Sequence, residues 1–176
     1  MPNHLSPNGF GAALAALALC LISAAPAQAA ECRATADVNT SVKSMADNTA
    51  MEGHISIHIR GQPTEAGKSQ FDSWDQFKGT FTTWKGYPGP KGPTPAKCGT
   101  RPAESDCVPV SAIYPGGWPG TLPTTCQTVN AATKLCTQSQ PFPAGQPIYL
   151  SFRYSKNSKG KWIMNTAYPS LNSNCS

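Results

Sequence analysis

Six cysteines set the terms on which this chain can fold. Seven occur in its 176 residues. Cys20 lies in an apolar leader, and Cys32, Cys98, Cys107, Cys126, Cys136 and Cys175 lie beyond it. An even number of cysteines in an exported domain reads as three disulfides. Loop length favours Cys98–Cys107 and Cys126–Cys136 as local clips, which leaves Cys32–Cys175 to tie the termini. The competing use of cysteine is zinc binding, but the chain has no CxxC pair.

The apolar leader carries the features of an export signal. Residues 1–30 contain no Lys, Arg, Asp or Glu. Phe10 to Ser23 is an Ala/Leu-rich apolar run, and Ala27-Gln28-Ala29 supplies small residues for a signal peptidase. The pattern predicts a signal peptide over 1–29, cleaved after Ala29, and one domain over 30–176. Leu19 precedes Cys20 where a lipoprotein signal needs a small residue. The leader is too short to span a bilayer and no later stretch is suitable, so no membrane segment is expected. The predicted location is periplasmic or extracellular. All charged side chains lie beyond the leader, so the formal charge of +5 belongs to the domain. A basic exported domain suits a polyanionic partner, although a solvated cationic surface has the same composition.

Residues 40–59 read as largely helical. Val42, Met45, Ala46, Thr49 and Ala50 form the inward stripe, and Gly53 breaks the helix before His54 to Ile59, a hexapeptide that fits helix or strand. The 61–67 stretch is a loop by composition. Ser73 caps the next helix with Gln76 three residues on, and Trp74, Phe77, Phe81 and Trp84 share its core face. Residues 86–147 are dense in Pro, Gly, Thr and Ser and hold four of the six cysteines. They read as an insertion of ordered loop, restrained by disulfides, with one short strand over 108–114. From Ile148 the chain alternates to Tyr154, turns through Lys156 to Gly160, and alternates again from Lys161 to Tyr168. Pro169 is expected to end that strand. Strict alternation places Thr166 and Tyr168 on one face with Trp162 and Met164. The fold class is therefore α+β: N-terminal helices packed on a small twisted antiparallel sheet ending in a C-terminal hairpin, with a disulfide-rich loop insertion.

His54 and His58 are the only histidines beyond the leader. Four residues apart, they share a face on either a helix or a strand, and two imidazoles can divide general base and general acid duties near neutral pH. The HxxxH spacing lacks the zincin glutamate and a third ligand, so no metal is expected. Lys68, following Gly67, is able to hold a phosphate. Each of these also has an ordinary reading, as a surface histidine, a surface lysine or a packed tyrosine.

In order along the chain, Gly53-His54-Ile55, His58, Gly67-Lys68-Ser69-x-Phe71 and Thr166-Ala167-Tyr168-Pro169 resemble the bacterial EndoU-type ribonuclease toxin domains of the barnase/EndoU/colicin/RelE superfamily. Bacterial ribonuclease A-like toxin domains, which also open on Gly-His and close on a TAYP-like strand, are similar in the same places. The resemblance implies a secreted toxin or effector that cleaves RNA without metal or cofactor, leaving a 2′,3′-cyclic phosphate and a 5′-hydroxyl. It makes His54 and His58 the acid/base pair, Lys68 the stabiliser of the phosphorane, and Thr166 and Tyr168 the residues that position phosphate and nucleotide, Tyr168 by stacking on a base. Arg60, Ser69, Arg153 and Lys161 are the expected RNA-binding residues. RNA is the expected substrate, a cognate immunity or inhibitor protein the expected protein partner, and a monomer the expected state. Two features depart from the family pattern. The second histidine usually stands one residue later, where this chain has Ile59, and the cysteine-rich insertion is unusual.

Two other classes fit the composition. One is a non-catalytic, disulfide-rich module binding glycan or a cell surface through Tyr87, Tyr114 and Trp118. The other is a secreted inhibitor or structural protein. The ribonuclease reading alone requires His54, Lys68, Thr166 and Tyr168 to line one cleft.

Overall fold

The computed structural model describes residues 29–88 and 92–176; the expected signal peptide lies outside them except for Ala29. After a 3₁₀ turn (Cys32–Ala34) come α1 (Ala36–Ser41), α2 (Met45–Ala50) and a 3₁₀ helix (Ile55–His58). β1 (Ser69–Gln70), α3 (Trp74–Gly86), β2 (Ala103–Pro109), α4 (Val110–Ile113), β3 (Thr124–Val129) and β4 (Cys136–Pro141) follow, and β5 (Tyr149–Lys156) and β6 (Trp162–Ser170) close the chain. The class is α+β, with two antiparallel three-stranded sheets ordered β1-β3-β4 and β2-β5-β6. No helix among the described residues is long and apolar enough to cross a membrane.

α3 forms where its cap and apolar stripe agree. The Ser73 hydroxyl accepts from the Gln76 N–H at 3.1 Å, while Gln76 Oε1 reaches back to the Asp72 N–H at 2.8 Å. Phe77, Phe81 and Trp84 are buried, and Phe81 meets Phe152 of β5 edge-on at 5.6 Å. Burying such a phenylalanine stabilises by about 1.5–3 kcal/mol. Beneath them the buried Asp106 side chain accepts from Trp84 Nε1 (3.0 Å), the Tyr154 hydroxyl (2.7 Å) and the Ala96 N–H (2.7 Å), so both of its oxygens are hydrogen-bonded.

Several expectations change. The disulfides are Cys32–Cys98, Cys107–Cys175 and Cys126–Cys136, so only the third matches the loop-length pairing. Cys98 and Cys107 part because Cys107 sits within β2, where its side chain faces the C-terminal tail. The 40–59 helix is two short helices and a 3₁₀ turn. Its inward face carries Ser41, Val42 and Asn48, whereas Ala46, Thr49 and Ala50 are exposed. The 108–114 strand ends at Pro109 and gives way to α4. The 86–147 segment supplies β2, β3 and β4, and β2 pairs with β5 from Ala103↔Ser155 to Pro109↔Tyr149. It is an integral part of both sheets.

β6 runs through Pro169 to Ser170, and it contains a bulge: Arg153 pairs with Thr166 but Tyr154 pairs with Met164, leaving Asn165 unopposed. The extra residue reverses the alternation. Trp162 and Met164 thus belong to the core-facing side with Ala167, opposite Thr166 and Tyr168.

Candidate functional site

His54 is placed by the bulge. Its N–H donates to the Asn165 carbonyl at 2.5 Å. The neighbouring Met164 N–H donates to Ser41 Oγ (2.9 Å), and the Met164 carbonyl accepts from Asn48 Nδ2 (2.8 Å). Asn48 Oδ1 in turn accepts from the Ile55 N–H at 3.1 Å. The buried polar side chains of α1 and α2 thus replace the ladder bonds lost at the bulge and hold the His54 backbone against β6. The His54 side chain is exposed at the end of this junction.

Lys68 is placed by the β1–β3 edge. The Gly67 N–H donates to the Cys126 carbonyl (2.7 Å) and the Cys126 N–H donates to the Lys68 carbonyl (2.9 Å). Gly67 takes φ +85°, a left-handed turn that favours glycine. The Lys68 ammonium lies 3.5 Å from the exposed Glu65 carboxylate, a weak surface pair.

His58 is buried, at 5% exposure, and its Nδ1 lies 2.7 Å from the Ser69 carbonyl. A carbonyl only accepts, so Nδ1 carries the proton and Nε2 the lone pair. Burial pushes the imidazole down to about 4; the Ser69 hydrogen bond pulls upward, while the Lys68 and Arg153 charges push further down. At neutral pH His58 has no Nε2 proton to give. Its ring stacks on Tyr168 at 4.9 Å, and the Arg153 guanidinium lies 5.1 Å from the centre of the same tyrosine ring. Tyr168 is therefore held by protein groups on its π system while still lining the cleft. Its hydroxyl donates to the Cys175 carbonyl at 2.7 Å.

His54, His58, Lys68, Ser69, Arg153, Thr166 and Tyr168 all line one cleft of about 700 Å³. Among the described residues no Asp or Glu side chain lines it. The buried Thr166 Oγ1 has no hydrogen-bond partner, leaving one orphan polar atom at its wall. Arg60 and Lys161 lie elsewhere: Arg60 is paired with Asp72 at 2.5 Å and Lys161 with Asp37 at 3.3 Å. Asn48, Asn165, Thr125 and Phe142 support or line the cleft without having been singled out from the sequence. Only Asn165 had a local signal, its place beside the Thr166–Pro169 run. Among the described residues no group of three His, Cys, Asp or Glu side chains gathers as a metal site.

Fold and site together define a disulfide-stapled α+β domain with a hydroxyl-bearing cleft of about 700 Å³ lined by Lys68 and Arg153. No family model matches the chain, and neither does any curated protein or solved structure.

Proposed function

We propose that this protein is an exported, metal-independent endoribonuclease, acting outside the cytosol of the cell that makes it as a toxin or effector. The observation that carries the reading is the convergence of His54, Lys68, Arg153, Thr166 and Tyr168, from segments a hundred residues apart, on one cleft with no acidic side chain among its described residues. Three disulfides support the extracytoplasmic setting.

In this reading His54, the exposed imidazole, takes the proton from the ribose 2′-OH as that oxygen attacks phosphorus. The P–O5′ bond breaks, the 5′-oxygen leaves with a proton from a water molecule, and His54 returns its proton to the hydroxide so formed. The products are a 2′,3′-cyclic phosphate and a 5′-hydroxyl. The nucleophile belongs to the substrate, so positioning and charge stabilisation supply the rate. Lys68 and Arg153 balance the charge on the phosphorane, and Thr166 shapes the wall beside them. His58, neutral and tied to Ser69, orients Tyr168 instead of transferring a proton. A cognate immunity protein then has a cationic cleft to cover.

A glycan-binding module draws less support. Tyr114 bonds Thr83 at 2.9 Å, Trp118 stacks on Phe71 and Tyr87 stacks on Trp84, and no Phe, Tyr or Trp side chain among the described residues is exposed.

The test is incubation with total RNA in EDTA, followed by end-group analysis. We expect cyclic-phosphate and 5′-hydroxyl ends, and His54→Ala to slow cleavage by at least about a hundredfold. Full activity in a His54→Ala, Lys68→Ala double variant overturns the proposal.

A further inference from the structure

In the last residues of the chain, which line the cleft at Leu171, Asn172 and Ser176, one backbone atom holds two further cleft side chains. The Cys175 carbonyl accepts from the Tyr168 hydroxyl at 2.7 Å and from Arg153 Nη2 at 3.1 Å. These donors come from β6 and β5, and both line the cleft. A single backbone oxygen therefore sets where the guanidinium lies over the tyrosine ring, and that ring in turn carries the His58 imidazole. What holds the oxygen there is the disulfide to Cys107. Cys175 is 3% exposed in an otherwise exposed tail, at φ +53°, a left-handed backbone that costs a non-glycine residue energy. Apart from the bridge, its backbone is anchored by its own N–H to the Asn172 carbonyl (3.0 Å), a contact within the tail.

We infer that Cys175 is a positioning residue of this cleft, and that the Cys107–Cys175 disulfide makes assembly of the Arg153–Tyr168–His58 stack conditional on oxidation. The inference rests on the ribonuclease reading for its consequence, not for its geometry. In the reduced chain the tail leaves β2, Arg153 and Tyr168 lose their shared acceptor, and the phosphate side of the cleft loosens. Oxidation proceeds by thiol–disulfide exchange with a small-molecule disulfide. The thiolate of one cysteine attacks it and expels one thiolate; the second cysteine, deprotonated, attacks the mixed disulfide and expels the other. Two cysteine thiols and one small disulfide become one protein disulfide and two small thiols. A ribonuclease built this way is poorly active in the reducing cytosol where it is made and gains its cleft on export.

The test compares Cys107→Ser/Cys175→Ser with Cys32→Ser/Cys98→Ser, whose bridge touches no cleft residue. Each is read by RNA cleavage in EDTA and by nitration of Tyr168 with tetranitromethane, mapped by mass spectrometry. For the first pair we expect Tyr168 nitration to rise several-fold and kcat/KM to fall by about a hundredfold, mostly through KM, with unchanged circular dichroism. The second pair should behave as wild type in both readouts. If the first variant does not fold, reduced wild-type protein is reoxidised with oxidised glutathione and alkylated at intervals. Activity and protection of Tyr168 should then appear with the Cys107–Cys175 peptide. Wild-type nitration and cleavage while Cys107 and Cys175 are unbridged overturns the inference. Altered nitration in a protein whose oxidised form cleaves no RNA leaves the positioning role standing and removes the ribonuclease reading.

Discussion

His58 is a histidine whose proton count is set by where it is buried. Its native value is about 4 against an ordinary 6.5, and the cause is chiefly desolvation. Above pH 6.5 the folded and unfolded chains both carry a neutral imidazole, and the residue exerts no pH dependence. As pH falls below 6.5, the unfolded chain takes up a proton that the native site refuses. Stability is therefore lost progressively down to about pH 4, by a total on the order of 3 kcal/mol. Carboxylates add their own acid sensitivity, so the comparison needs a variant. His58→Asn keeps an N–H for the Ser69 carbonyl and removes the titration. Urea unfolding at pH 7, 5.5 and 4 should show the wild type losing about 3 kcal/mol more than this variant over the range. Equal losses rule out a buried neutral imidazole. The same variant separates positioning from proton transfer, because it should keep more activity than His54→Asn, which removes the proposed base.

At the level of elements, the bulge in β6 joins scaffold to site. Met164 and Asn165 offer backbone groups that the β5 ladder does not use, and Ser41, Asn48 and His54 take them. Gly53 is required there for space: a Cβ would come within 2.3 Å of Asn48 Nδ2. Asn48 cannot step aside without giving up its bonds to Met164 and Ile55, each a buried hydrogen bond whose loss costs about 1–3 kcal/mol. Gly53→Ala should therefore destabilise by about 2–4 kcal/mol and slow cleavage by shifting His54. In an Asn48→Ala background the same change should cost much less, and a double-mutant cycle without that coupling removes the argument. The hairpin and α3 were legible because each has one buried face and a cap or turn, so local pattern and tertiary role agree. The bulge was not, since a strict period of two carried through to Tyr168 passes over Trp162-Ile163-Met164 and Asn165-Thr166, three apolar and two polar residues where the alternation breaks. β3 and β4 escaped notice for a different reason. Thr, Ser and Gln fill them and β4 is almost wholly exposed, so ladder bonds and a disulfide, with little apolar burial, hold them. The candidate site was legible as residue types but not as geometry: Lys68 and Arg153 look no different in sequence from Arg60 and Lys161, which pair with carboxylates elsewhere.

Across the whole molecule the three bridges do unequal work, and stability and activity should rank them differently. Cys32–Cys98 and Cys107–Cys175 close loops with separations of 66 and 68, and Cys126–Cys136 one of 10. On chain entropy alone the long bridges stabilise by about 4.4 kcal/mol each and the short one by about 2.7. Their neighbours order them otherwise. Cys32–Cys98 fastens the N-terminal turn to the Ala96–Cys98 segment beside Asp106, none of which lines the cleft. Cys126–Cys136 clips β3 to β4, and the Cys126 backbone holds both Gly67 and Lys68. Because β3 and β4 bury so little, losing that clip frays the edge on which the lysine stands, while the core packed on α3 stays closed. Cys126→Ser/Cys136→Ser should therefore be the milder change in urea unfolding and the more damaging one in RNA cleavage, with Cys32→Ser/Cys98→Ser showing the reverse. Should both measurements rank the two variants in the same order, the cleft depends on global stability alone, and the separate fastening of Lys68 through β3 is wrong.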